Sequence, residues 1–239
     1  MNLNLTTILI PAKNELNITS VLESIVDEVK IPFECIVVED SFDDLSIQFV
    51  DKVSQNDKRF RVHVNSTGNS PALAIKAGLA QAKGNVFVIT MADGSDDPAD
   101  INKLVKLVHR GATIACASRY MPGGQQVGAP AVKSFLSKLA GKSLYYLRKV
   151  GTRDATNSFK AYDAEFIRKV GIESQFGFEM GIELIAKAKI LRKPVAEVPT
   201  VWIEKINKKS NFQLKKWLYQ YIYWYVYAFK SKAEEKQYE

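Results

Sequence analysis

NVFVITMADGSDDPAD, Asn85–Asp100, runs an apolar stretch straight into a cluster of acids. Asn85–Thr90 has the length and composition of a buried β-strand. Asp93, Asp96, Asp97 and Asp100 follow it at once. A buried strand that ends on carboxylates brings charge to the rim of a sheet, where a ligand or a cation has to balance it.

The same layout recurs on both sides of this stretch. Thr7–Pro11 (TILIP), Glu34–Glu39 (ECIVVE), Arg61–Asn65 (RVHVN) and Thr113–Ala117 (TIACA) read as further strands. Ile18–Val29 places Ile18, Val21, Leu22, Ile25, Val26 and Val29 on one helical face. Ser70–Lys83 is rich in Ala and Leu, with Pro71 in its first turn and Gly84 after it, and the helix Ile101–Arg110 stops at Gly111. Strands alternating with helices predict an α/β fold: a mostly parallel sheet flanked by helices on both faces. In such sheets ligands bind at the carboxyl ends of the strands. The residues to inspect are therefore Pro11–Glu15 (PAKNE), Glu39–Asp44 (EDSFDD), Asp93 with the acids after it, and Ser118–Gly124 (SRYMPGG). Acids at two strand ends suit a hard divalent cation, Mg2+ or Mn2+, bridging a diphosphate. Asp96, Asp97 and Asp100 have a second reading, as the start of the next helix, where acids suit the positive end of the dipole. That reading fits Asp100 best and Asp93 least.

Further along, Lys133–Arg148 is helical, with Leu136, Leu139, Ala140, Leu144 and Leu147 on one face. Lys133, Lys138 and Lys142 lie elsewhere, on a solvated face or against a phosphate. Arg153–Lys160 (RDATNSFK) is a polar loop followed by Ala161 and Tyr162. Glu179 precedes an apolar helix, Met180–Ala188, and could be a base, a hydrogen-bonding strut or a solvated residue. Lys193–Val201 (KPVAEVPTV) reads as an extended edge element that tolerates its prolines.

The chain has 239 residues, 46% of them hydrophobic and 25% charged, an ordinary globular composition. The net charge is +7; Lys187–Glu239 holds 12 Lys/Arg against 5 Asp/Glu, so the remaining 21 against 21 cancel. The basic character belongs to the C-terminal part and favours phosphate-bearing partners. Cys35 and Cys116 sit in apolar runs and read as buried, reduced thiols. The N-terminal run lacks the pattern of a signal peptide, and no apolar run reaches the ~20 residues a bilayer requires. A cytoplasmic protein is expected.

Taken in order, ILIPAKNE, IVVEDSFDD, NSPALAIKAGLAQAKG, ITMADGSDDP, ASRYMPGG, RDATNSFKAY and FGFEMGIELIAKA resemble family 2 glycosyltransferases of the GT-A (Rossmann-like) fold, in the branch of dolichyl-phosphate mannose synthase. The resemblance covers Thr7 to Phe212 and implies an inverting, metal-dependent transfer from a nucleotide sugar. It implies that Pro11, Ala12, Glu15, Val38, Asp40, Ala92 and Asp93 bind the donor nucleotide. It gives the metal to Asp93, with Asp96 and Asp97 as candidate helpers, and phosphate to Arg119. Asp154 matches the acid near donor and acceptor. Met91 stands where the first acid of the family's D-x-D belongs, and a thioether is a poor ligand for these cations. That departure leaves open a non-catalytic nucleotide-sugar-binding or scaffolding subunit. A nucleotidyltransferase is disfavoured by the missing Gly-rich phosphate loop.

The acceptor divides the chemistry. A sugar hydroxyl needs a base, for which Asp154 or Glu179 would serve. A lipid phosphate is already ionised and needs cations instead, for which Arg119, Lys133 and Lys138 are candidates. Phe212–Phe229 (FQLKKWLYQYIYWYVYAF) tilts the choice. Eight of the 13 residues from Trp217 to Phe229 are aromatic, and lysines flank the run. Such a helix suits a membrane–water interface, or packing on its own domain or a second copy in a homo-oligomer. Crowded aromatics without interspersed Arg and Gly argue against nucleic acid. The expected organisation is a transferase domain over 1–206 and a basic aromatic helix over 207–239. The acceptor expected is a polyprenyl phosphate or lipid-linked glycan, with peripheral attachment to the cytoplasmic membrane face.

Overall fold

The first strand, β1 (Thr6–Pro11), is buried almost to its end, and its side chains divide between two cores. Leu9 faces one, and Ile8 and Ile10 face the other, as the two-residue period of a strand requires. Full burial of each such side chain contributes about 1.5–3 kcal/mol. A computed structural model describes residues 4–204 and 214–230. After β1 come α1 (Ile18–Glu28), β2 (Phe33–Glu39), α2 (Ile47–Asn56), β3 (Phe60–Val64), α3 (Pro71–Ala80), β4 (Val86–Ile89), α4 (Ala99–His109) and β5 (Ile114–Ser118). The second half holds β6 (Gln125–Val127), α5 (Ala131–Ser143) ending in a π-helical turn over Leu144–Arg148, β7 (Lys160–Asp163), α6 (Ala164–Val170), α7 (Met180–Ile190), β8 (Val195–Pro199), β9 (Val201–Ile203) and α8 (Leu214–Tyr227).

Seven strands form one sheet in the order β3-β2-β1-β4-β7-β5-β8. Every pairing is parallel except those of β7, which runs antiparallel between β4 and β5. The mostly parallel sheet and its edge strand β8 are as expected. The antiparallel strand was not, because Lys160–Asp163 follows directly on a polar loop and is only four residues long. The short helix α2, with Val50 its one buried residue, was also not read from the sequence. A small second sheet pairs β6 with β9. Cys35 and Cys116 are buried free thiols.

α5 departs from its expected apolar stripe. Leu144 is buried, whereas Leu136, Leu139 and Leu147 are exposed. Gly141 explains how closely the helix approaches the 153–154 loop: a Cβ there would overlap the Arg153 carbonyl. α8 packs with its inner face on α7, and Trp224, Tyr227 and Ala228 join the core beneath the sheet. The expected boundary at 206/207, the segment Lys205–Phe212 and the final Ala233–Glu239 lie outside the described residues. Among the described residues no helix is long and apolar enough to cross a membrane.

Candidate active site

The carboxyl ends of β1, β2, β4 and β5 open into a cavity of about 1440 Å³. Pro11, Ala12 and Glu15 line it from β1, with Asp40 from β2. The 11–15 loop is held by the neighbouring 41–46 loop. Asp44 accepts the Asn14 N–H at 2.8 Å, and Ser46 Oγ accepts the Glu15 N–H at 2.7 Å while donating to Asp44 at 2.6 Å. These bonds fix Asn14 at φ 51°, a left-handed conformation that asparagine tolerates better than most residues. Val38 is buried inside β2; its carbonyl accepts the Ala12 N–H at 2.9 Å, so its contribution is backbone. Asp40 has one oxygen buried without a hydrogen-bond partner among the described residues and lies 3.7 Å from the Lys13 ammonium. Burial pushes its carboxyl up, against the pull of Lys13.

At the end of β4, Met91, Ala92, Asp93 and Ser95 line the cavity. Asp93 accepts the Ser95 N–H at 3.0 Å, and the Ser95 hydroxyl is buried without a hydrogen-bond partner among the described residues. Asp96 and Asp97 do not line the cavity with it. Asp96 is buried and turned back onto the strand, accepting from Thr90 Oγ1 at 3.1 Å and Met91 N–H at 3.0 Å. Burial pushes its carboxyl up to about 7. Asp97 is exposed and accepts the Ala99 N–H at 3.0 Å, capping the start of α4. Asp100, in the first turn of α4, pairs with Lys103 at 2.7 Å. The expected carboxylate trio is thus one cavity acid, one strut and one cap.

Across the cavity, Arg119 and Asp154 form a buried two-pronged pair. Nε lies 2.7 Å from Oδ2 and Nη2 2.9 Å from Oδ1, with the Arg119 backbone N–H also on Oδ2 at 3.0 Å. Burial alone would raise the Asp154 carboxyl, but the guanidinium outweighs it and holds the carboxyl below its usual range. Arg119 also reaches Ser137 Oγ at 3.2 Å and stacks against Tyr120 and Trp202, 5.0 and 6.0 Å from the ring centres. Lys133 and Glu204 line the same end, whereas Lys138 is exposed and lies away from it. Burial lowers the Lys133 ammonium and Glu204 counters that. From here the cavity continues between α5 and α8, past Leu136, Leu139, Ala140, Leu218 and Ile222.

The family model for glycosyl transferase family 2 matches residues 7–171, which carry every strand end described above up to Asp154. The chain belongs to glycosyl transferase family 2. A polyprenol monophosphomannose synthase of Mycolicibacterium smegmatis is 28% identical over 92% of this chain and 86% of its own length. A dolichol-phosphate mannosyltransferase of Pyrococcus furiosus is 27% identical over 91% of this chain, which spans 64% of that protein. Among solved structures, glucosyl-3-phosphoglycerate synthase of Mycobacterium tuberculosis, crystallised with Mn2+, UDP-glucose and phosphoglyceric acid, superposes with a TM-score of 0.72 at 17% identity. The alignment covers 94% of this chain and 79% of that one. The fold of this glycosyltransferase is accordingly GT-A.

Two acids expected to do chemistry in the transferase are placed otherwise. Asp154 is fully buried, and besides Arg119 it accepts from Thr156 Oγ1 and Asn157 N–H. Glu179 is fully buried and accepts the N–H groups of Phe176 at 3.0 Å and Gly177 at 2.7 Å. Neither lines the cavity. Asp154 is saturated by five hydrogen bonds, and the two that Glu179 accepts tie it to its own loop. Ser46, Ser137, Trp202 and Lys160 belong to the site's framework and were not read from the sequence. Ser46, Ser137 and Trp202 meet the site through partners far away in the chain, whereas Lys160 bonds to the loop just before it.

Proposed function

We propose that this glycosyltransferase moves a hexose from a nucleoside-diphosphate sugar to a polyprenyl phosphate. The observation that carries the proposal is the division of one cavity into a polar half and an apolar half that meet at Arg119 and Lys133. The polar half, from Pro11 to Glu15 with Asp40, Ala92 and Asp93, suits the nucleotide and its diphosphate. The apolar half, between α5 and α8, suits a hydrocarbon chain whose phosphate ends at the cations. The relatives' activities with polyprenol and dolichol phosphates agree with that reading.

The acid–base arrangement supports the same acceptor. The carboxylate packed on Arg119 is Asp154, which is held ionised and fully bonded. An ionised phosphate attacks without losing a proton, so no base is required there. Arg119 binds the acceptor phosphate, with Lys133 beside it, and together they lower the repulsion between two anionic substrates.

A divalent cation fits the polar half in part. Asp93 offers a carboxylate at the cavity wall, and the unpartnered Ser95 hydroxyl adds a second oxygen. Met91 offers only a thioether. Asp93 would hold Mg2+ or Mn2+ with the donor diphosphate supplying further oxygens. When bound, the ion supplies neutralisation of the departing diphosphate.

The outer faces of the apolar half suit peripheral attachment to a membrane, on its cytoplasmic side. Val132 and Phe135 on α5, and Tyr219 and Val226 on α8, are exposed and lie outside the cavity lining. Aromatic and aliphatic groups on paired helices, with Lys142 and Lys230 nearby, favour an anionic lipid surface. Incubation with labelled nucleotide sugars and a short polyprenyl phosphate tests the proposal. Label in a lipid phosphate supports it, and label only in water-soluble products overturns it.

A further inference from the structure

Lys160 opens β7 and is completely buried. Its Nζ donates to the Ala155 carbonyl at 3.1 Å and to the Asn157 carbonyl. That loop carries Thr156, Asn157 and Ser158 along the cavity wall. The same loop grips the Arg119–Asp154 pair, because Asp154 Oδ1 accepts the Asn157 N–H at 3.2 Å. Asn157 in turn donates through Nδ2 to the Ala117 carbonyl at 2.8 Å, one residue before the end of β5. A buried amine is tolerated only where its hydrogen bonds are made. The charges facing it are Asp154 and Asp96, which favour the ammonium, and Arg119, which opposes it, with the Cys116 thiol alongside. Space for the amine depends on Gly181 in α7: a Cβ there would stand 3.2 Å from Nζ and 3.3 Å from the Asn157 carbonyl.

We infer that Lys160 is a positioning residue of the transfer site: its amine fixes the 155–157 backbone and thereby aims the Arg119 guanidinium at the phosphate it binds. The inference rests on Arg119 as a phosphate ligand, as in the proposed function. Lys160→Met keeps the length of the side chain and removes its hydrogen bonds. Gly181→Ala leaves Lys160 intact and crowds the amine from outside the site.

The test is calorimetric titration of inorganic phosphate into the full chain and both variants, with a nucleoside diphosphate filling the polar half and at temperatures where all are folded. Lys160→Met is expected to weaken phosphate at least about tenfold, and Gly181→Ala about threefold in the same direction. In turnover with a nucleotide sugar, kcat falls while the donor KM stays within about twofold, because the 11–15 loop and Asp40 are not tied to Lys160. A lysine with only a structural part would lower the melting temperature and leave phosphate affinity per folded molecule unchanged. Equal phosphate affinity in Lys160→Met and the parent chain overturns the inference, as does a parent chain that binds no phosphate. If Lys160→Met does not fold, Gly181→Ala decides it by the same comparison. A parent chain that binds phosphate without any turnover counts against the transferase proposal alone, and the affinity comparison still judges Lys160.

Discussion

Glu39 is fully buried at the end of β2, beside Asp44 and Ser46. Burial first, then repulsion from Asp44, pushes its pKa from 4.5 up to about 8, with Asp40 adding to the repulsion. Between those two values the folded chain holds a proton that the unfolded chain has lost. Stability therefore falls as pH rises through that window. Glu39→Gln is expected to flatten this limb, so that its melting temperature gains on the parent between about pH 5 and about pH 8.5. Parallel curves for the two proteins would show that Glu39 is ionised in the fold. Asp154→Asn leaves the buried guanidinium of Arg119 without its counter-charge, and a loss of about 3–5 kcal/mol is expected from urea unfolding. A loss under about 1 kcal/mol, the range of an exposed pair, would mean that water screens it. At the cation, Met91→Asp adds a hard oxygen ligand beside Asp93. Mn2+ affinity, read by the ion's paramagnetic resonance signal, is expected to rise about tenfold with nucleoside diphosphate present. No change would mean that Asp93 does not hold the ion.

At the scale of elements, α5 and α8 present opposite characters on opposite faces. Buried Trp224 packs on Tyr227 at 4.8 Å with the Lys187 ammonium 5.5 Å from its ring centre, whereas Phe135 and Val226 face outward. Trp224→Ala is expected to cost about 3–5 kcal/mol in global stability. Phe135→Glu combined with Val226→Glu is expected to leave the melting temperature within a few degrees and to cut binding to anionic phospholipid vesicles at least about tenfold in a flotation assay. Undiminished vesicle binding would remove these faces from membrane attachment. The inward packing of α8 was not legible in the aromatic run, since a tyrosine-rich stripe serves a core and an interface equally well. Strong local patterns were legible: the buried strands, the Pro71 helix start and the acid at the first turn of α4. β7 was not, because its four residues lie between an unpatterned loop and α6, and its place between β4 and β5 is fixed by long-range pairing.

Across the whole molecule, the order of strand-end motifs was enough to read the sheet and its ligand-binding rim. Individual roles at that rim were less legible. Asp93, Asp96 and Asp97 look equivalent in sequence, and only their hydrogen bonds separate the cavity acid from the strut and the cap. Asp154 and Glu179 look alike as candidate bases in sequence, and only the structure shows that both are fully buried and outside the cavity lining. The bonding of Asp154 links fold to chemistry, since the carboxylate packed on Arg119 is committed and an acceptor that arrives already ionised needs no base there. The most direct measurement is a paired transfer assay with labelled nucleotide sugars and Mn2+ or Mg2+, offering a polyprenyl phosphate or the matching polyprenol with its free hydroxyl. Label is expected in the sugar–phospholipid from the phosphate acceptor and at background from the alcohol. Transfer to the alcohol at a comparable rate, or to neither, would contradict the account.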